Sequence, residues 1–460
     1  VAADPLFTAA YTGVSGPLVL VSADDPGMAS SQNEQDNRHY AEAAGIPVLE
    51  PASSQEAYDL MIRGLELSRE WKQPIMLRLT TRVCHSKTIV QPRTDLAPPP
   101  APNFERDIPG RVMIPAYARP AHKRLREKLD KLREWNETSD INEVTHGDKS
   151  LGIITSGISA THVRDAAPTA SILKLGMAYP TPIKLIEEFV SGVDRCVVID
   201  EGENWLADRI RAAGVEVEGK PAMYRFGEMS VGRVKRILAG DTSPEPAPPK
   251  GKPPALCNGC PHRIVFESFR DQDLIVAGDI GCYTLGVLPP FQAIDTCVCM
   301  GASVGVGLGL RHALPEDQAR RVVSVIGDST FAHSGITGLV EMVYNPPPTG
   351  HVVVIVDNGT TAMTGQQEHP GTGRTLDHGP TTQVSFEDLA RSLGIPQVHV
   401  MDAAGDPEGF DKLLREMLDG GELAVIVTRR PCILAAGKIR QWEKAAAEER
   451  ACREIGGAAE

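Results

Sequence analysis

Two short polar turns, each directly after an apolar run, hold the residue types that most clearly suggest chemistry. Gly327-Asp328-Ser329 follows VVSVI, and Asp357-Asn358 closes the run HVVVIV. Each half is typical of a buried parallel strand that ends in a polar turn, with a helix between the two strands. In such sheets ligands bind beyond the carboxyl ends of the strands. A carboxylate on one turn and an amide oxygen on the next can hold one hard cation, and a divalent ion held there can carry a diphosphate.

The pairing of the two turns carries more weight than either turn alone. Asp328 by itself also suits a helix N-cap, because Gly-Asp is a common turn dipeptide. Two such turns, each after an apolar strand, favour a ligand site instead. The text TTAMTGQQ after Asn358 adds hydroxyl groups and small residues, which allow the backbone to approach a ligand closely.

Four of the cysteines are candidates for a metal site. Cys257 and Cys260 form the C-x-x-C pair CNGC, whose spacing lets both sulfurs face one point for metal binding or redox chemistry. Cys282 and Cys432 are candidates for the two further ligands, because each follows a predicted strand on the same side of the sheet as Asp328. The spacing fits both zinc and an iron–sulfur cluster.

Composition limits the class of protein. The chain has 460 residues, 42% hydrophobic and 23% charged, with a formal net charge of -13. This length allows about three domains, and the negative charge argues against a nucleic-acid partner. No apolar run reaches the roughly 18 residues of a membrane span. Nine cysteines, an odd number, fit a reducing compartment, and we expect a cytoplasmic protein.

The elements that must position these residues alternate between strand and helix, which predicts an α/β fold with parallel sheets. Examples of predicted strands are GPLVLVSA, PIMLRLT, SILKLG and ELAVIVTR, and QEAYDLMIRGLELSREW is a predicted helix. Proline-rich text and charge divide the chain. The predicted segments are α/β regions at 1–90, 149–240 and 255–438, a proline-rich linker with a charged helix at 91–148, a second proline-rich linker at 241–254 and a charged tail at 439–460.

The combined motifs resemble one enzyme family, the 2-oxoacid:ferredoxin oxidoreductases, and within it the alpha subunits of indolepyruvate:ferredoxin oxidoreductases. The motifs are CNGCPHR, GDIGCYTLGVLPP, DTCVCMGAS, GDSTFAHSGI, DNGTTAMTGQQEHPG, ADDPGMASSQNEQDNRHYA and LRLTTRVCHS. They cover nearly the whole chain, Val1 to about Lys438. The resemblance implies a thiamine diphosphate-binding fold, with a partial pyrimidine-binding-type domain at 1–90, a transketolase C-terminal-like domain at 149–240 and a thiamine diphosphate/Mg²⁺-binding domain at 255–438.

The resemblance also implies roles for individual residues. Asp328, Asn358 and the carbonyl of Thr360 would bind Mg²⁺, which bridges to the diphosphate. The cofactor-binding residues would be Gly281, Cys282, Gly301, Gly327, Asp328, Ser329, Asn358, Thr360, Met363, Thr364 and Gly365. Cys257, Cys260, Cys282 and Cys432 would ligate a [4Fe–4S] cluster, although this chain has CPH where many relatives have CGD or CGE. Likewise TGQQ stands where relatives have TGGQ.

The histidines supply the candidates for acid–base chemistry. His333, in the predicted helix after Asp328, is the candidate catalytic residue, and an exposed or satisfied helix histidine is the alternative. His262 is a second candidate near the cofactor. His369 and His378 belong to the Gly/Pro-rich text EHPGTGRTLDHGP, which would either order over the substrate or move freely.

The activity implied by the resemblance is oxidative decarboxylation of an arylpyruvate such as indolepyruvate to acyl-CoA and CO₂, with electrons passing to ferredoxin. The implied partners are the 2-oxoacid, coenzyme A, ferredoxin and a smaller beta subunit. Two family features are missing from the text: the carboxylate that activates the cofactor's aminopyrimidine, and a C-terminal ferredoxin-like module. We therefore expect a chain truncated at both ends, or half of a split enzyme.

Two alternatives remain open at this point. A non-oxidative thiamine diphosphate enzyme, such as a 2-oxoacid decarboxylase or an acetolactate synthase-like protein, would need no cluster, so the cysteine set argues against it. A non-catalytic subunit that scaffolds a partner would explain the missing carboxylate.

Overall fold

The computed structural model describes residues 2–96, 101, 103–246, 251 and 253–457. The chain divides into two units, Val1–Ala247 and Pro248–Glu460. Parts of both predicted proline-rich linkers and the last residues of the predicted tail lie outside the described residues. The predicted segment boundaries therefore stay predictions.

The first unit alternates strands and helices, as the sequence predicts. Its strands are β1 (Val19–Asp24), β2 (Val48–Leu49), β3 (Ile75–Thr80), β4 (Glu143–Thr145), β5 (Asp148–Ser156), β6 (Ala170–Leu175), β7 (Met177–Tyr179) and β8 (Cys196–Ile199). Its helices are α1 (Ala3–Thr12), α2 (Arg38–Ala44), α3 (Ser54–Trp71), α4 (Thr81–His85), α5 (Ile108–Arg111), α6 (Pro115–Asn136), α7 (Ser159–Ala166), α8 (Ile183–Ser191), α9 (Trp205–Ala212) and α10 (Val231–Leu238).

Two four-stranded sheets organise the first unit. One has the order β1-β3-β2-β7, with β1, β3 and β2 parallel and β7 antiparallel to β2. The other has the order β4-β6-β5-β8, parallel except for β4. Because β7 follows β6 in the chain but pairs with β2, the regions predicted as 1–90 and 149–240 share one sheet. This shared sheet explains why they form one unit.

Buried ion pairs add polar links inside the first unit. Arg38 is fully buried and contacts Asp36 and Asp200, each at 2.6 Å. Arg78 is also buried and pairs with Glu50. Removing one partner from such a pair leaves an uncompensated buried charge, which typically costs about 3–5 kcal/mol. These contacts therefore specify how the turn before α2 meets the end of β8.

The predicted charged helix is confirmed as α6. Leu125 and Leu132 recur at helical spacing and are 4% and 0% exposed, whereas most of the basic side chains between them are exposed. One face of α6 therefore packs on the unit, and its charges form a solvated face.

The second unit continues the alternation. Its strands are β9 (Ile275–Gly278), β10 (Thr296–Cys297), β11 (Val322–Gly327), β12 (His351–Asp357), β13 (Gln397–Met401) and β14 (Leu423–Arg429). Its helices are α11 (His262–Asp271), α12 (Ala302–Ala313), α13 (Glu316–Ala319), α14 (Asp328–Thr330), α15 (Ile336–Tyr344), α16 (Phe386–Ser392), α17 (Pro407–Gly420) and α18 (Ala436–Gly457).

One six-stranded parallel sheet forms the centre of the second unit, in the order β10-β9-β11-β12-β14-β13. Every residue of β11 and β12 is buried, which explains their near-continuous apolar runs. These strands are neighbours, and Gly327 pairs with Val356 at their carboxyl ends. The two polar turns predicted from the sequence therefore lie side by side.

No helix within the described parts of either unit combines the length and the apolar character needed to cross a bilayer.

Candidate cofactor site

Asp328 lies at the carboxyl end of β11, where backbone N–H groups surround its carboxylate. The residue is only 3% exposed. Its Oδ2 accepts hydrogen bonds from the N–H groups of Asn358 (3.1 Å) and Gly359 (2.8 Å). Its Oδ1 accepts one from the N–H of Ser329 (2.8 Å). The turn after β11 and the turn after β12 therefore meet at this carboxylate.

His369 contacts Asp328 from the Gly/Pro-rich loop. Its Nε2 lies 3.2 Å from Oδ2 of Asp328, and its Nδ1 accepts a hydrogen bond from the N–H of Gly371. In the neutral ring Nε2 therefore carries the proton. Burial by itself would raise the pKa of Asp328, but the contact with His369 and the backbone donors outweigh burial and lower that pKa. Asp328 is thus an ionised carboxylate, as a cation ligand must be.

The side chain of Asn358 is held in one orientation. Its Oδ1 accepts a hydrogen bond from the N–H of Thr360 (3.1 Å), and its Nδ2 lies 3.1 Å from Nε2 of His262. Because Oδ1 faces a backbone donor, Nδ2 is the donor toward His262, and Nε2 of that ring accepts. Burial lowers the pKa of His262 to about 4, although the charge of Asp328 opposes the change, so the ring is neutral near pH 7.

A second carboxylate, Asp357, lies beside Asp328. Burial raises its pKa to about 6, and the negative charge of Asp328 contributes to the rise. Arg429 opposes the rise by donating from Nε to Oδ2 of Asp357 at 2.7 Å. Asp328 is therefore the carboxylate of the pair that ionises more readily.

The two turns border a cavity of about 100 Å³. The predicted cofactor-binding residues that line it are Gly281, Cys282, Gly327, Asp328, Ser329, Asn358, Thr360, Met363 and Thr364. Thr361 and Ala362, from the text TTAMTGQQ, also line it, and the further lining residues are Ile280, Tyr283, Met300, Thr330 and Val356. Most of the predicted set thus converges on one space.

Among the residues predicted to bind the cofactor or to act in catalysis, Gly301, Gly365 and His333 do not line this cavity. His333 is exposed and lies in a π-helical turn, Phe331–Gly335, that follows α14. Its assignment as the catalytic residue stays a prediction without support from its position.

Three glycines of the site leave room for neighbouring side chains. A Cβ atom on Gly327 or Gly281 would collide with the ring of Tyr283, and one on Gly301 would collide with Ser334. Gln366 has a φ of 65°, in the left-handed region that favours glycine. It stands where the TGGQ text named in the sequence analysis has its second glycine, the residue type that adopts this φ without strain.

All four predicted cluster cysteines line a second pocket, of about 80 Å³. Burial raises the pKa of Cys260 to about 11, a hydrogen bond from the backbone N–H of His262 opposes the rise, and the nearby thiols of Cys257, Cys282 and Cys432 contribute to it. The four sulfurs are thus close enough to influence one another.

The chemistry of this donor set fits a tetrathiolate group, either a [4Fe–4S] cluster or zinc. As the side chains stand, no three His, Cys, Asp or Glu residues in the described ranges are arranged to hold a metal ion. A metal at this pocket would therefore require the thiols to lose their protons and to move from the positions they have here.

The pocket lined by the four cysteines, here the cysteine pocket, is a neighbour of the cavity beside Asp328, here the cofactor cavity. Cys282, Asn358 and Ala362 line both of them. A group held by the cysteines would therefore lie directly beside a cofactor bound at Asp328.

Residues 279–428 match the family model described as "Thiamine pyrophosphate enzyme, C-terminal TPP binding domain". This span contains both polar turns and the cavity between them. The fold and the site together define a thiamine diphosphate-dependent enzyme.

Close relatives are all called indolepyruvate oxidoreductase subunit IorA. The protein of Methanothermobacter marburgensis is 40% identical, over 96% of this chain and 75% of its own length. Those of Archaeoglobus fulgidus and Pyrococcus horikoshii are 39% and 36% identical, over 96% and 98% of this chain and 74% and 77% of their own lengths. The chain belongs to the family of the indolepyruvate oxidoreductase subunit IorA.

Solved structures resemble the chain more distantly. The 2-oxoglutarate:ferredoxin oxidoreductase of Magnetococcus marinus is 16% identical with a TM-score of 0.41, over 52% of this chain and 50% of that one. A split-gene transketolase is 14% identical with a TM-score of 0.29, over 48% of this chain and 66% of that one. These low scores add nothing to the family assignment.

Proposed function

We propose that this chain is the catalytic subunit of an oxidoreductase that acts on an arylpyruvate such as indolepyruvate. The reaction would convert the 2-oxoacid and coenzyme A into acyl-CoA, CO₂, a proton and two electrons, and ferredoxin would accept the electrons. The observation that carries the proposal is the wall shared by the cofactor cavity and the cysteine pocket. An oxidative enzyme needs an electron acceptor beside the reacting centre, whereas a non-oxidative thiamine diphosphate enzyme does not.

Asp328, Asn358 and Thr360 would hold Mg²⁺ at the diphosphate. Magnesium prefers oxygen ligands, and these residues offer an ionised carboxylate, an amide oxygen of fixed orientation and a backbone carbonyl. Thiamine diphosphate, when bound, supplies the nucleophilic carbon and the electron sink for decarboxylation. The protein residues would anchor and orient it.

Cys257, Cys260, Cys282 and Cys432 would hold a [4Fe–4S] cluster. Their convergence from three separate stretches of chain on one pocket supports this donor set. Zinc would fit the same sulfurs but could not accept an electron. The proposed activity therefore depends on iron at this pocket.

Further protein surfaces would complete the substrate site. A cavity of about 100 Å³ is smaller than the roughly 300–1,000 Å³ of typical ligand pockets, and it suits the diphosphate end of the cofactor better than an arylpyruvate. A smaller beta subunit would be the partner, and the assembly would work in the cytoplasm. The name of the relatives supports the arylpyruvate, and the cavity itself does not specify the side chain.

Iron, acid-labile sulfide, zinc and thiamine diphosphate should be measured on anaerobically purified protein. We expect about four irons and four sulfides at the cysteine pocket, with thiamine diphosphate bound in the presence of Mg²⁺. Thiamine diphosphate without iron would instead favour a non-oxidative enzyme. Zinc in place of iron would contradict the electron-transfer role, and absence of both cofactors would favour a scaffold subunit.

A further inference from the structure

His262 lines the cysteine pocket and contacts two residues, Asn358 and Tyr283, that line the cofactor cavity. It begins α11 directly after Cys260-Pro261, is 3% exposed and lines the cysteine pocket. Its ring contacts Asn358, which lines both spaces, and meets the ring of Tyr283 edge-on at 6.3 Å between centroids. This packing holds the imidazole between the thiols and the cofactor cavity.

On the cofactor side, His262 determines which atom of Asn358 is available as a ligand. An amide rotated by 180° would exchange its oxygen and nitrogen, and NH₂ cannot coordinate a cation. The acceptor at Nε2 of His262 stabilises the orientation in which Nδ2 faces the ring and Oδ1 faces the N–H of Thr360. Without this acceptor, only the N–H of Thr360 would favour this orientation, and the amide would be held less firmly.

On the side of the cysteine pocket, the backbone of His262 affects the thiol of Cys260. The backbone N–H of His262 lies close enough to Cys260 to oppose the rise in the pKa of that thiol. Hydrogen bonds to ligand sulfurs tune the reduction potential of iron–sulfur clusters. A movement of the Cys260 turn on ligation would therefore reach the ring of His262 and, through it, the amide of Asn358.

We propose that His262 is a positioning residue that couples the two pockets, so that occupation of the cysteine site strengthens Mg²⁺-dependent binding of thiamine diphosphate. This coupling rests on the proposed function, because each pocket must hold its group. Thermodynamic linkage requires the effect to be reciprocal, with couplings typically of about 5- to 150-fold. Thiamine diphosphate should therefore also shift the midpoint potential of the cluster.

The test compares His262→Phe, which keeps a ring but loses the acceptor, with His262→Gln, whose Oε1 can accept from Asn358. Affinity for thiamine diphosphate with Mg²⁺ is measured by calorimetry on the full chain in iron-loaded and iron-free forms. We expect His262→Phe to lose about 10- to 100-fold in affinity, as outer-shell changes typically do. His262→Gln should restore most of it, and His312→Phe, at an exposed histidine, should change nothing.

The decisive quantity is the ratio of affinities between the iron-loaded and iron-free forms. It should exceed about fivefold in the wild type and fall to near one in His262→Phe. Equal affinities in the wild type would overturn the coupling even if a variant failed to fold. Equal losses in the Phe and Gln variants would reduce His262 to a packing role. Absence of iron from the wild type would instead contradict the proposed cluster, which separates the two failures.

Discussion

Asp328 is the residue on which the proposed cation binding would depend most directly. Its carboxylate is buried, ionised and oriented by three backbone N–H groups and His369. Asp328→Asn keeps the shape but removes the charge. We expect a loss of at least about tenfold in Mg²⁺-dependent affinity for thiamine diphosphate, measured by calorimetry. Asp317→Asn, at an exposed carboxylate of the same unit, serves as the matched control. Unchanged tight binding by Asp328→Asn would contradict the site.

Single site residues could be predicted from the sequence where a polar residue directly follows an apolar strand. Asp328 and Asn358 each follow an apolar strand directly, so their position at the edge of the sheet could be predicted. His369 and Tyr283 lie outside the strands and contact residues far away in the sequence, Asp328 and His262. The spacing of apolar residues along the chain does not reveal such contacts. His333 lies close to Asp328 in sequence, but the π-helical turn leaves its side chain exposed.

Among the elements, Arg429 joins three pieces of the second unit. At the end of β14 it donates to Asp357 of β12 and, through two bonds of 3.0 and 2.8 Å, to Glu387 of α16. These hydrogen bonds from Arg429 lower the pKa of Glu387 to about 2. A depressed folded-state pKa means that the stabilisation is present above about pH 4.5 and is lost as the pH falls toward 2.

Glu387→Gln should therefore destabilise the protein by about 1.5–3 kcal/mol at pH 7, the usual contribution of a hydrogen bond to a charged group. It should also reduce the acid dependence of stability between about pH 4.5 and 2. Urea unfolding monitored across that range tests both effects. Glu408→Gln, at an exposed position of α17, should show neither. Identical acid dependence in wild type and Glu387→Gln would contradict the role of the ion pair.

The loop that carries His369 is fastened to α18. The ring of His378 stacks on Trp442 at 4.2 Å between centroids, and the guanidinium of Arg374 lies 5.1 Å from the same ring. Both His378 and Arg374 also contact Glu368 at 3.0 Å. The loop that places His369 beside Asp328 is therefore held by α18, which follows β14.

Trp442→Ala should loosen this loop, because the aromatic pair contributes about 0.5–1.5 kcal/mol. Hydrogen exchange should speed up by several-fold at the backbone N–H of Thr375, which bonds to the carbonyl of Gly379. Trp442→Phe keeps a stacking surface and should retain most of the protection. Equal exchange in the wild type and the Ala variant would show that the stack does not hold the loop.

Most elements could be predicted because their apolar periodicity is strong, as in β11, β12 and α6. β7 could not, because three residues show no period, and its pairing with β2 depends on a register that only the folded unit provides. The same pairing places the first and middle α/β regions in one unit.

At the scale of the whole molecule, the arrangement of the cysteines separates an oxidative enzyme from its alternatives. Cys257 and Cys260 could be recognised by their spacing, and Cys282 and Cys432 by their positions after strands; all four line one pocket. The sequence could not show that this pocket shares a wall with the cofactor cavity, because that depends on how three loops pack.

Cys260→Ala should lose most of the bound iron while the α/β core remains folded, since its thiol lies at the pocket rather than in a sheet. Iron content tests the loss of iron, and far-ultraviolet circular dichroism tests whether the core remains folded. Cys299→Ala, at an exposed cysteine that does not line the pocket, is the control. Full iron content in Cys260→Ala would remove Cys260 from the ligand set.

Electron paramagnetic resonance shows directly whether electrons from the substrate reach the cysteine pocket. The anaerobic protein, loaded with iron, thiamine diphosphate and Mg²⁺, is mixed with indolepyruvate and coenzyme A but no external acceptor. The proposed oxidative decarboxylation predicts a reduced-cluster signal with release of CO₂, because one cluster takes up one electron. Acyl-CoA should form once oxidised ferredoxin is added to take up the second electron, and Asp328→Asn should show none of these products. Release of CO₂ with formation of the aldehyde, while the cluster stays oxidised, would contradict the proposed oxidative decarboxylation.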